Sequence, residues 1–347
     1  MLDRHLEDVV VATRAAYAPQ QPRRHRGGFD TRSSDASADD TSSIRYNAAT
    51  SQQFPPTVSL PFRARTPVLG DGPPGRDRRS LQLHVFVPSG DPPLLGGPGR
   101  AAAVFFSEGG WRAIDATQFF PQCARLAAVG IVAVAAEYSA GSGPDQQAMI
   151  EDAAAALKAL REPPLRRRFN LSGRIAACGA SAGGHLAAAV ALCPLPAALE
   201  TAGRPDACVL LNPVLDLESD SPLCPAAQLR RLNRGVSADE FGHMSPSSLS
   251  SRLPPSLILF GDADPLLEPA RRFVETATEL ANRVHLQSSP GASAATLPEL
   301  RVYRHGGGTH GFFDWTRRGI HVGGSKSGFE VTTSATVGFL CSLGYAD

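Results

Sequence analysis

The chain has 347 residues, of which 42% are hydrophobic, and its formal net charge is +1. This length and composition allow one large domain or two small ones with a sizeable buried core. The near-neutral charge argues against a general electrostatic role with nucleic acid or anionic membranes, and no apolar run approaches the roughly 20 residues of a membrane-spanning helix.

The start of the chain, "MLDRHLEDVVVATRAAYA", carries acidic side chains early and has no long apolar core, unlike a secretory signal. Six cysteines are scattered without a C-x-x-C pair and are expected to be reduced thiols. We therefore expect a cytoplasmic location, with no transmembrane segment and no nucleic-acid partner.

A polar segment rich in Arg, Ser, Asp, Gln and Pro runs from about residue 18 to 55. It has few large apolar side chains, so it buries too little surface to offset its ordering entropy. We therefore expect residues 1–78 to be an N-terminal extension that is largely disordered or loosely attached. A folded domain is expected over residues 79–347.

Strands and helices alternate through that domain. Strands are predicted at 81–87, 101–107, 131–138, 174–178, 207–212, 254–260 and 300–305. Helices are predicted at 115–130, 145–161, 182–193, 265–284 and 328–345, and Asp145 is the expected cap of the second. This alternation predicts an α/β fold with a mostly parallel sheet, helices on both faces and ligands beyond the carboxyl ends of the strands.

A Gly-x-Ser-x-Gly pattern lies between a predicted strand and a predicted helix, with Ser181 between Gly179 and Gly183. A serine on so sharp a turn is the arrangement of a nucleophile elbow, where glycines avoid collisions between backbones. The alternative is an ordinary tight turn in which Ser181 caps the helix. His185 lies one turn into that helix and is expected to pack or hydrogen-bond beneath the turn.

A nucleophilic serine needs a histidine base and a carboxylate that orients the base, in the chain order serine, acid, histidine. Asp262 and Asp264 directly follow a predicted strand. His305 and His310 follow the last predicted strand. Asp262 also fits a turn-forming role, whereas His310 follows a "GGGT" loop that can reach over Ser181. The residues alone leave both pairs open.

Negative charge that develops on a carbonyl oxygen is stabilised by fixed backbone N–H donors. Removing one such donor raises the activation free energy by roughly 3 to 4 kcal/mol. One expected donor is the N–H of Ala182, the residue after the candidate nucleophile. The others are expected in "SEGGW", the loop after the strand predicted at 101–107, where Gly109 and Gly110 expose backbone N–H groups. The alternative for this loop is an ordinary glycine turn.

These motifs, in this order, resemble the α/β-hydrolase superfamily. Within it they are most similar to the esterase/lipase group related to hormone-sensitive lipase and to BD-FAE-type acetyl and feruloyl esterases. The resemblance covers about residues 80 to 345 and rests on "FFSEGGW", "VAAEY", "IEDAAAALKALR", "GASAGGHLAAA", "MSPSSLSSRLPPSLILFGDADPLL", "GGGTHGFF" and "FLCSLGY". It implies an α/β-hydrolase fold, and the segment from about 217 to 250 is expected to form a small cap insertion.

The resemblance implies Ser181 as nucleophile, Asp264 as acid and His310 as base. It also implies that the oxyanion-hole donors are Gly109, Gly110 and Ala182. Relatives usually read H-G-G-G-W or G-G-G-W where this chain has "SEGGW". The carboxylate of Glu108 would oppose an oxyanion if it pointed inward, because like charges repel strongly in a dry site.

The expected function is hydrolysis of a short-acyl carboxylic ester, such as an acetyl ester of a carbohydrate or small molecule, through an acyl-enzyme. No metal or organic cofactor is expected, since this chemistry needs neither. Trp111 and Phe312 are candidates to line the substrate pocket, with core packing as the alternative. The alternative functions are a serine peptidase of the same fold, a catalytically weakened binding protein and a scaffold whose N-terminal arm binds a partner.

Overall fold

Strands and helices alternate along the chain in the computed structural model. The structure describes residues 9–11, 44–64, 80–89, 99–140, 146–217, 242–248, 253–287, 297–303, 309–317 and 327–346. Its strands are β1 (Val9–Val11), β2 (Ile44–Arg45), β3 (Val58–Ala64), β4 (Ser80–Phe86), β5 (Arg100–Phe106), β6 (Ile114–Asp115), β7 (Val132–Ala136), β8 (Leu171–Ala180), β9 (Ala207–Leu211), β10 (Ser256–Gly261) and β11 (Glu299–Tyr303). Its helices are α1 (Ala48–Gln53), α2 (Phe120–Ala128), α3 (Gln146–Arg161), α4 (Pro163–Arg168), α5 (Ala182–Leu192), α6 (Leu267–Gln287) and α7 (Gly328–Ser342).

A nine-stranded sheet forms the centre of the fold, in the order β1-β11-β10-β9-β8-β5-β7-β4-β3. The strands from β11 to β7 in that order pair in parallel, whereas β1, β4 and β3 pair antiparallel with their neighbours. β2 and β6 form a separate parallel ribbon. The predicted mostly parallel sheet is confirmed, and the carboxyl ends of its parallel strands share one edge.

Both faces of the sheet are buried, which explains why its strands read as continuous apolar runs. Along β5, Val104 and Phe106 belong to one core cluster, and Ala103 and Phe105 belong to the other. Helices α3, α5 and α6 contribute to the first cluster, and α2 and α7 contribute to the second. The predicted placement of helices on both faces is confirmed.

Part of the expected N-terminal extension belongs to the sheet. Strand β3 pairs antiparallel with β4, and its apolar side chains pack against the first core cluster. At the opposite edge of the sheet, β1 pairs with β11. The boundary expected at residue 78 therefore separates two strands that pair with each other, and residues 58–64 are not loosely attached. Pro61 weakens the strand pattern in the sequence, but an edge strand accommodates a proline because one side has no partner strand.

A chain of polar side chains ties this segment to the sheet. The Ser59 Oγ lies 2.8 Å from Nδ1 of His84, and His84 Nε2 lies 3.3 Å from Oε1 of Glu137. The Glu137 carboxylate is fully buried and also accepts hydrogen bonds from the Tyr46 hydroxyl and the Gln82 N–H. Because a buried carboxylate is costly without such partners, these contacts hold β3, β4 and the end of β7 together.

The helices largely match the prediction, with one late start. The helix predicted at 115–130 begins at Phe120, because the Asp115 carboxylate accepts hydrogen bonds from the N–H and hydroxyl of Thr117 and so favours a turn. The expected cap Asp145 lies outside the described residues. Within the described ranges, no helix has both the length and the apolar character needed to cross a membrane.

Candidate active site

Ser181 occupies the turn between β8 and α5 and has a strained backbone. Its φ is +49° and its ψ is −114°, a conformation that residues other than glycine rarely adopt. The Ser181 N–H donates to the Leu211 carbonyl at the end of β9, and the Ser181 carbonyl accepts from the Val214 N–H. In the described part of the chain the Ser181 side chain makes no helix-capping hydrogen bond. The turn therefore holds the serine as an elbow, and the alternative of a helix cap does not describe it.

Gly179 and Gly183 are required by close backbone contacts on either side of the elbow. A Cβ atom on Gly179 would lie 2.3 Å from the Gly183 carbonyl oxygen. A Cβ atom on Gly183 would lie 2.1 Å from the carbonyl oxygen of Phe106, at the end of β5. Backbone atoms cannot rotate away from such contacts, so the two glycines allow the elbow to pack against β5.

His310 lies between Ser181 and Asp264. Its Nε2 is 2.8 Å from the Ser181 Oγ, and its Nδ1 is 2.9 Å from Oδ2 of Asp264. The histidine is separated along the chain by 129 residues from the serine and by 46 from the aspartate. With a proton on Nδ1 donated to the carboxylate, Nε2 is left to accept the serine hydroxyl proton.

The Asp264 carboxylate is held rigidly. Its side chain is fully buried, and its Oδ1 accepts the Leu266 N–H at 2.9 Å, which leaves Oδ2 to face the histidine. The His310 side chain is 26% exposed, so the site opens to solvent on the histidine side. The competing Asp262 is exposed and its N–H donates to the Tyr303 carbonyl, whereas His305 lies outside the described residues. The structure therefore brings Asp264, rather than Asp262, to the histidine.

The loop after β5 bends at Gly109 and Gly110, whose φ values are +142° and +58°. These conformations favour glycine, and a Cβ atom on Gly109 would lie 1.6 Å from the Ala113 carbonyl oxygen. The loop starts at Phe106, which the elbow contacts closely at Gly183. The loop and the first turn of α5 are thus neighbours at the same edge of the sheet.

Glu108 lies in this loop with its side chain half-buried. Its backbone N–H donates to Oε1 of Gln118 at 2.9 Å, and the Gln118 amide nitrogen donates to the Asp314 carboxylate at 3.2 Å. Burial raises the pKa of the Tyr138 phenol, and the negative charge of Glu108 adds to that rise. The Glu108 carboxylate therefore lies near Tyr138, whose hydroxyl donates to the Ser107 carbonyl.

His185 lies beneath the elbow and joins three parts of the site. The Trp111 Nε1 donates to its Nδ1 at 3.3 Å, and its Nε2 is 2.8 Å from the Met244 carbonyl oxygen. An indole N–H only donates and a carbonyl only accepts, so the ring is neutral with its proton on Nε2. Burial lowers the pKa of His185 to about 4. The expected packing and hydrogen-bonding role of this histidine is confirmed.

Trp111 and Phe312, the candidates for a substrate pocket, are 1% and 0% exposed. The Trp111 ring packs edge-on against His185 with centroids 5.5 Å apart, and the Phe312 ring lies 5.9 Å from that of Tyr303. Because neither side chain is open to solvent, core packing describes both and pocket lining does not. Most of the cap insertion expected over 217–250 lies outside the described residues.

Asn212, which follows β9, is a residue of the site that sequence reasoning missed. It is fully buried, its Oδ1 accepts the Gly311 N–H at 3.4 Å and its Nδ2 lies 3.4 Å from Nε2 of His310. The available signal was its position as the last residue of the strand predicted at 207–212. A polar side chain at the carboxyl end of a parallel strand faces the edge where ligands bind.

Comparisons with known proteins agree with this fold. A family model described as alpha/beta hydrolase fold matches residues 103–296, which is more than half of the chain. No curated protein is significantly similar in sequence.

The similar solved structures include esterase 2 of the planctomycete Thermogutta terrifontis in three states. The form phosphoramylated by tabun has a TM-score of 0.64 and 27% identity, covering 84% of this chain and 97% of that one. The propionate-bound form has a TM-score of 0.63 and 27% identity, covering 85% and 97%. The butyrate-bound form has a TM-score of 0.61 and 29% identity, covering 78% and 92%. The chain belongs to the α/β-hydrolase-fold family.

Proposed function

We propose that this protein hydrolyses short-acyl carboxylic esters through an acyl-enzyme formed on Ser181. Its family and its solved relatives indicate an esterase-type serine hydrolase. The observation that carries the assignment of residues is the hydrogen-bonded chain from Ser181 through His310 to Asp264, with distances of 2.8 and 2.9 Å. A nucleophile within reach of a base that is itself oriented by a carboxylate is the arrangement that activates a serine hydroxyl.

In the acylation step, His310 takes the hydroxyl proton of Ser181 while the serine oxygen bonds to the ester carbonyl carbon. The carbonyl electron pair moves onto its oxygen, and Asp264 stabilises the imidazolium that forms. His310 then gives its proton to the alcohol oxygen as the ester C–O bond breaks, which leaves the acyl group on Ser181. A water molecule activated by the same histidine releases the acid and restores the serine.

The backbone N–H groups of Ala182, Gly109 and Gly110 stabilise the oxyanion in this mechanism. Ala182 is the first residue of α5, so its N–H has no acceptor within the helix and lies at the positive end of the helix dipole. A glycine at residue 183 lets this helix start approach the loop after β5. Donors fixed in place before the reaction lose no energy to reorganisation as the charge develops.

Short acyl chains are supported by what the relatives hold. Thermogutta terrifontis esterase 2 has been solved with propionate and with butyrate, which are the acids that short-acyl esters release. Esters of acetyl to butyryl groups on small molecules or carbohydrates are therefore the proposed substrate class.

Replacing Ser181 with alanine tests the nucleophile. We expect the Ser181→Ala variant to lose turnover of p-nitrophenyl butyrate and covalent labelling by a fluorophosphonate, because the Ser181 hydroxyl is the proposed acceptor of the acyl or phosphoryl group. Ser59→Ala is the matched control, since Ser59 also contacts a histidine, at 2.8 Å, but lies on a strand and not on an elbow. Full turnover in Ser181→Ala, or loss of labelling in Ser59→Ala alone, would contradict the assignment.

A panel of p-nitrophenyl esters from acetate to decanoate tests the substrate class. We expect kcat/KM to be highest between acetate and butyrate and to fall for octanoate and decanoate. A maximum at decanoate would indicate a long-chain lipase, and faster cleavage of aminoacyl amides would indicate a peptidase. Binding of esters without turnover by the wild-type protein would indicate a weakened binding protein.

A further inference from the structure

Asn212 contacts both the proposed base and the turn that carries it. Its Oδ1 and the Gly311 N–H are 3.4 Å apart, and its Nδ2 and the His310 Nε2 are 3.4 Å apart. A backbone N–H only donates, so the atom facing Gly311 is the amide oxygen. The NH₂ group of Asn212 therefore faces Nε2 of His310, the same nitrogen that accepts the hydroxyl of Ser181.

The amide of Asn212 is held in this orientation by its surroundings. The residue is fully buried, and its backbone N–H donates to the Leu259 carbonyl at 2.7 Å. Its φ is +35°, in the left-handed region that asparagine and glycine tolerate better than other residues. A buried amide with a fixed backbone presents its donor to the histidine without reorganising.

We propose that Asn212 is a positioning residue that anchors His310 and favours the neutral form of its ring. This inference rests on the proposed role of His310 as the base. An amide donor aimed at Nε2 stabilises the lone pair of the neutral imidazole. After protonation the same donor faces an N–H and opposes it.

Asn212 thereby counteracts Asp264. Asp264 contacts the His310 ring, and its negative charge favours the imidazolium. Ser181 and Asn212, which also contact the ring, are neutral. The balance keeps the base unprotonated at lower pH and makes the imidazolium readier to return its proton to the departing alcohol.

Two substitutions separate the effect of the NH₂ group that faces His310 from that of the oxygen that accepts the Gly311 N–H. Asn212→Asp keeps an oxygen for the Gly311 N–H but replaces the donor facing His310 with an anionic acceptor of the same shape. Asn212→Gly removes both contacts, and glycine tolerates the positive φ at this position. If the glycine variant does not fold, Asn212→Ala is used in its place. Asn170→Gly is the matched control, since Asn170 also has a positive φ, +49°, but precedes β8 at the opposite end of the strand from Ser181.

The readout is the pKa of His310, followed by NMR of ¹⁵N-labelled histidine rings and assigned with a His310→Gln variant. We expect this pKa to rise by about 0.5 units in Asn212→Gly and by about 1 unit or more in Asn212→Asp, because the first loses a donor and the second gains an anion. The acid limb of the plot of kcat/KM against pH should move to higher pH by the same amounts. In Asn212→Gly, kcat should also fall about tenfold, because the contact between Asn212 and the Gly311 N–H is lost. Asn170→Gly should leave the pKa and the limb unchanged.

A His310 pKa in Asn212→Gly that equals or lies below the wild-type value would overturn the inference. So would a rise of equal size in Asn170→Gly, because the effect would then come from the backbone. The NMR titration needs no turnover, so a wild-type protein without esterase activity would refute the proposed function and still decide the role of Asn212.

Discussion

Replacing His185 with glutamine should remove an acid-induced loss of stability that the histidine causes. In the folded chain, burial lowers the pKa of His185 from 6.5 to about 4. As the pH falls below 6.5, the unfolded chain takes up a proton that the folded chain excludes, so the unfolded state is favoured. The contribution of His185 to stability is therefore intact above pH 6.5 and is lost progressively until the pH reaches about 4.

The size of the effect follows from the shift. A pKa lowered from 6.5 to about 4 corresponds to about 3 kcal/mol over the whole window, at about 1.4 kcal/mol per unit. Between pH 7 and pH 5 the loss from this one residue amounts to about 2 kcal/mol, since the unfolded histidine is almost fully protonated at pH 5 and the folded one is not. That is a large part of the stability of an ordinary domain.

Urea unfolding of the wild-type and His185→Gln proteins at pH 7 and pH 5 measures this loss. The variant forfeits contacts with Trp111 and Met244 and is expected to be less stable at both pH values. The quantity to compare is therefore the loss in free energy of unfolding from pH 7 to pH 5. This loss should be about 2 kcal/mol smaller in the variant than in the wild type. His243→Gln is the control, because His243 is exposed and its loss should leave the wild-type pH dependence in place. An equal loss in the wild type and in His185→Gln would refute the reasoning, since it would mean that the folded protein accepts the proton as readily as the unfolded chain.

Three further outcomes are expected. Gly183→Ala should lower the free energy of unfolding by about 3 kcal/mol or more and abolish esterase turnover, because its Cβ would lie 2.1 Å from a backbone oxygen. The control Gly338→Ala, with nothing within 4 Å of its Cβ, should raise the free energy of unfolding by about 0.5 to 1 kcal/mol. Glu108→Gln should raise kcat, since it removes a negative charge from the loop that carries the proposed oxyanion donors and so lowers the repulsion of the developing oxyanion. An unchanged or lower kcat would show that the carboxylate is screened from the reacting oxygen. A chain starting at residue 79 should melt well below one starting at residue 44, because only the longer chain keeps β3 paired with β4; identical melting curves would restore the boundary expected from the sequence.

The sequence by itself determined the features whose causes are local. The alternation of apolar strands with helices predicts the parallel sheet, because strands buried on both faces must be apolar throughout. The elbow is equally local, since the strand, the glycines around Ser181 and the start of α5 lie within a short stretch of chain. The position of the glycine pair after β5 is another such feature, because a backbone that must turn sharply needs residues without a Cβ.

The tertiary structure alone decided the features whose causes lie far apart in the chain. The residues left the choice between Asp262 and Asp264 open, and the folded turn after β10 brings Asp264, and not Asp262, to the ring of His310. Burial of Trp111 likewise depends on distant neighbours such as His185, which no local pattern reports. The same holds for the contact of Asn212 with a histidine 98 residues away and for the pairing of β3 with β4. Local backbone preference acts over a few residues, whereas side-chain contacts and strand pairing are set by packing energies summed over the whole sheet, and so they became visible only in the folded chain.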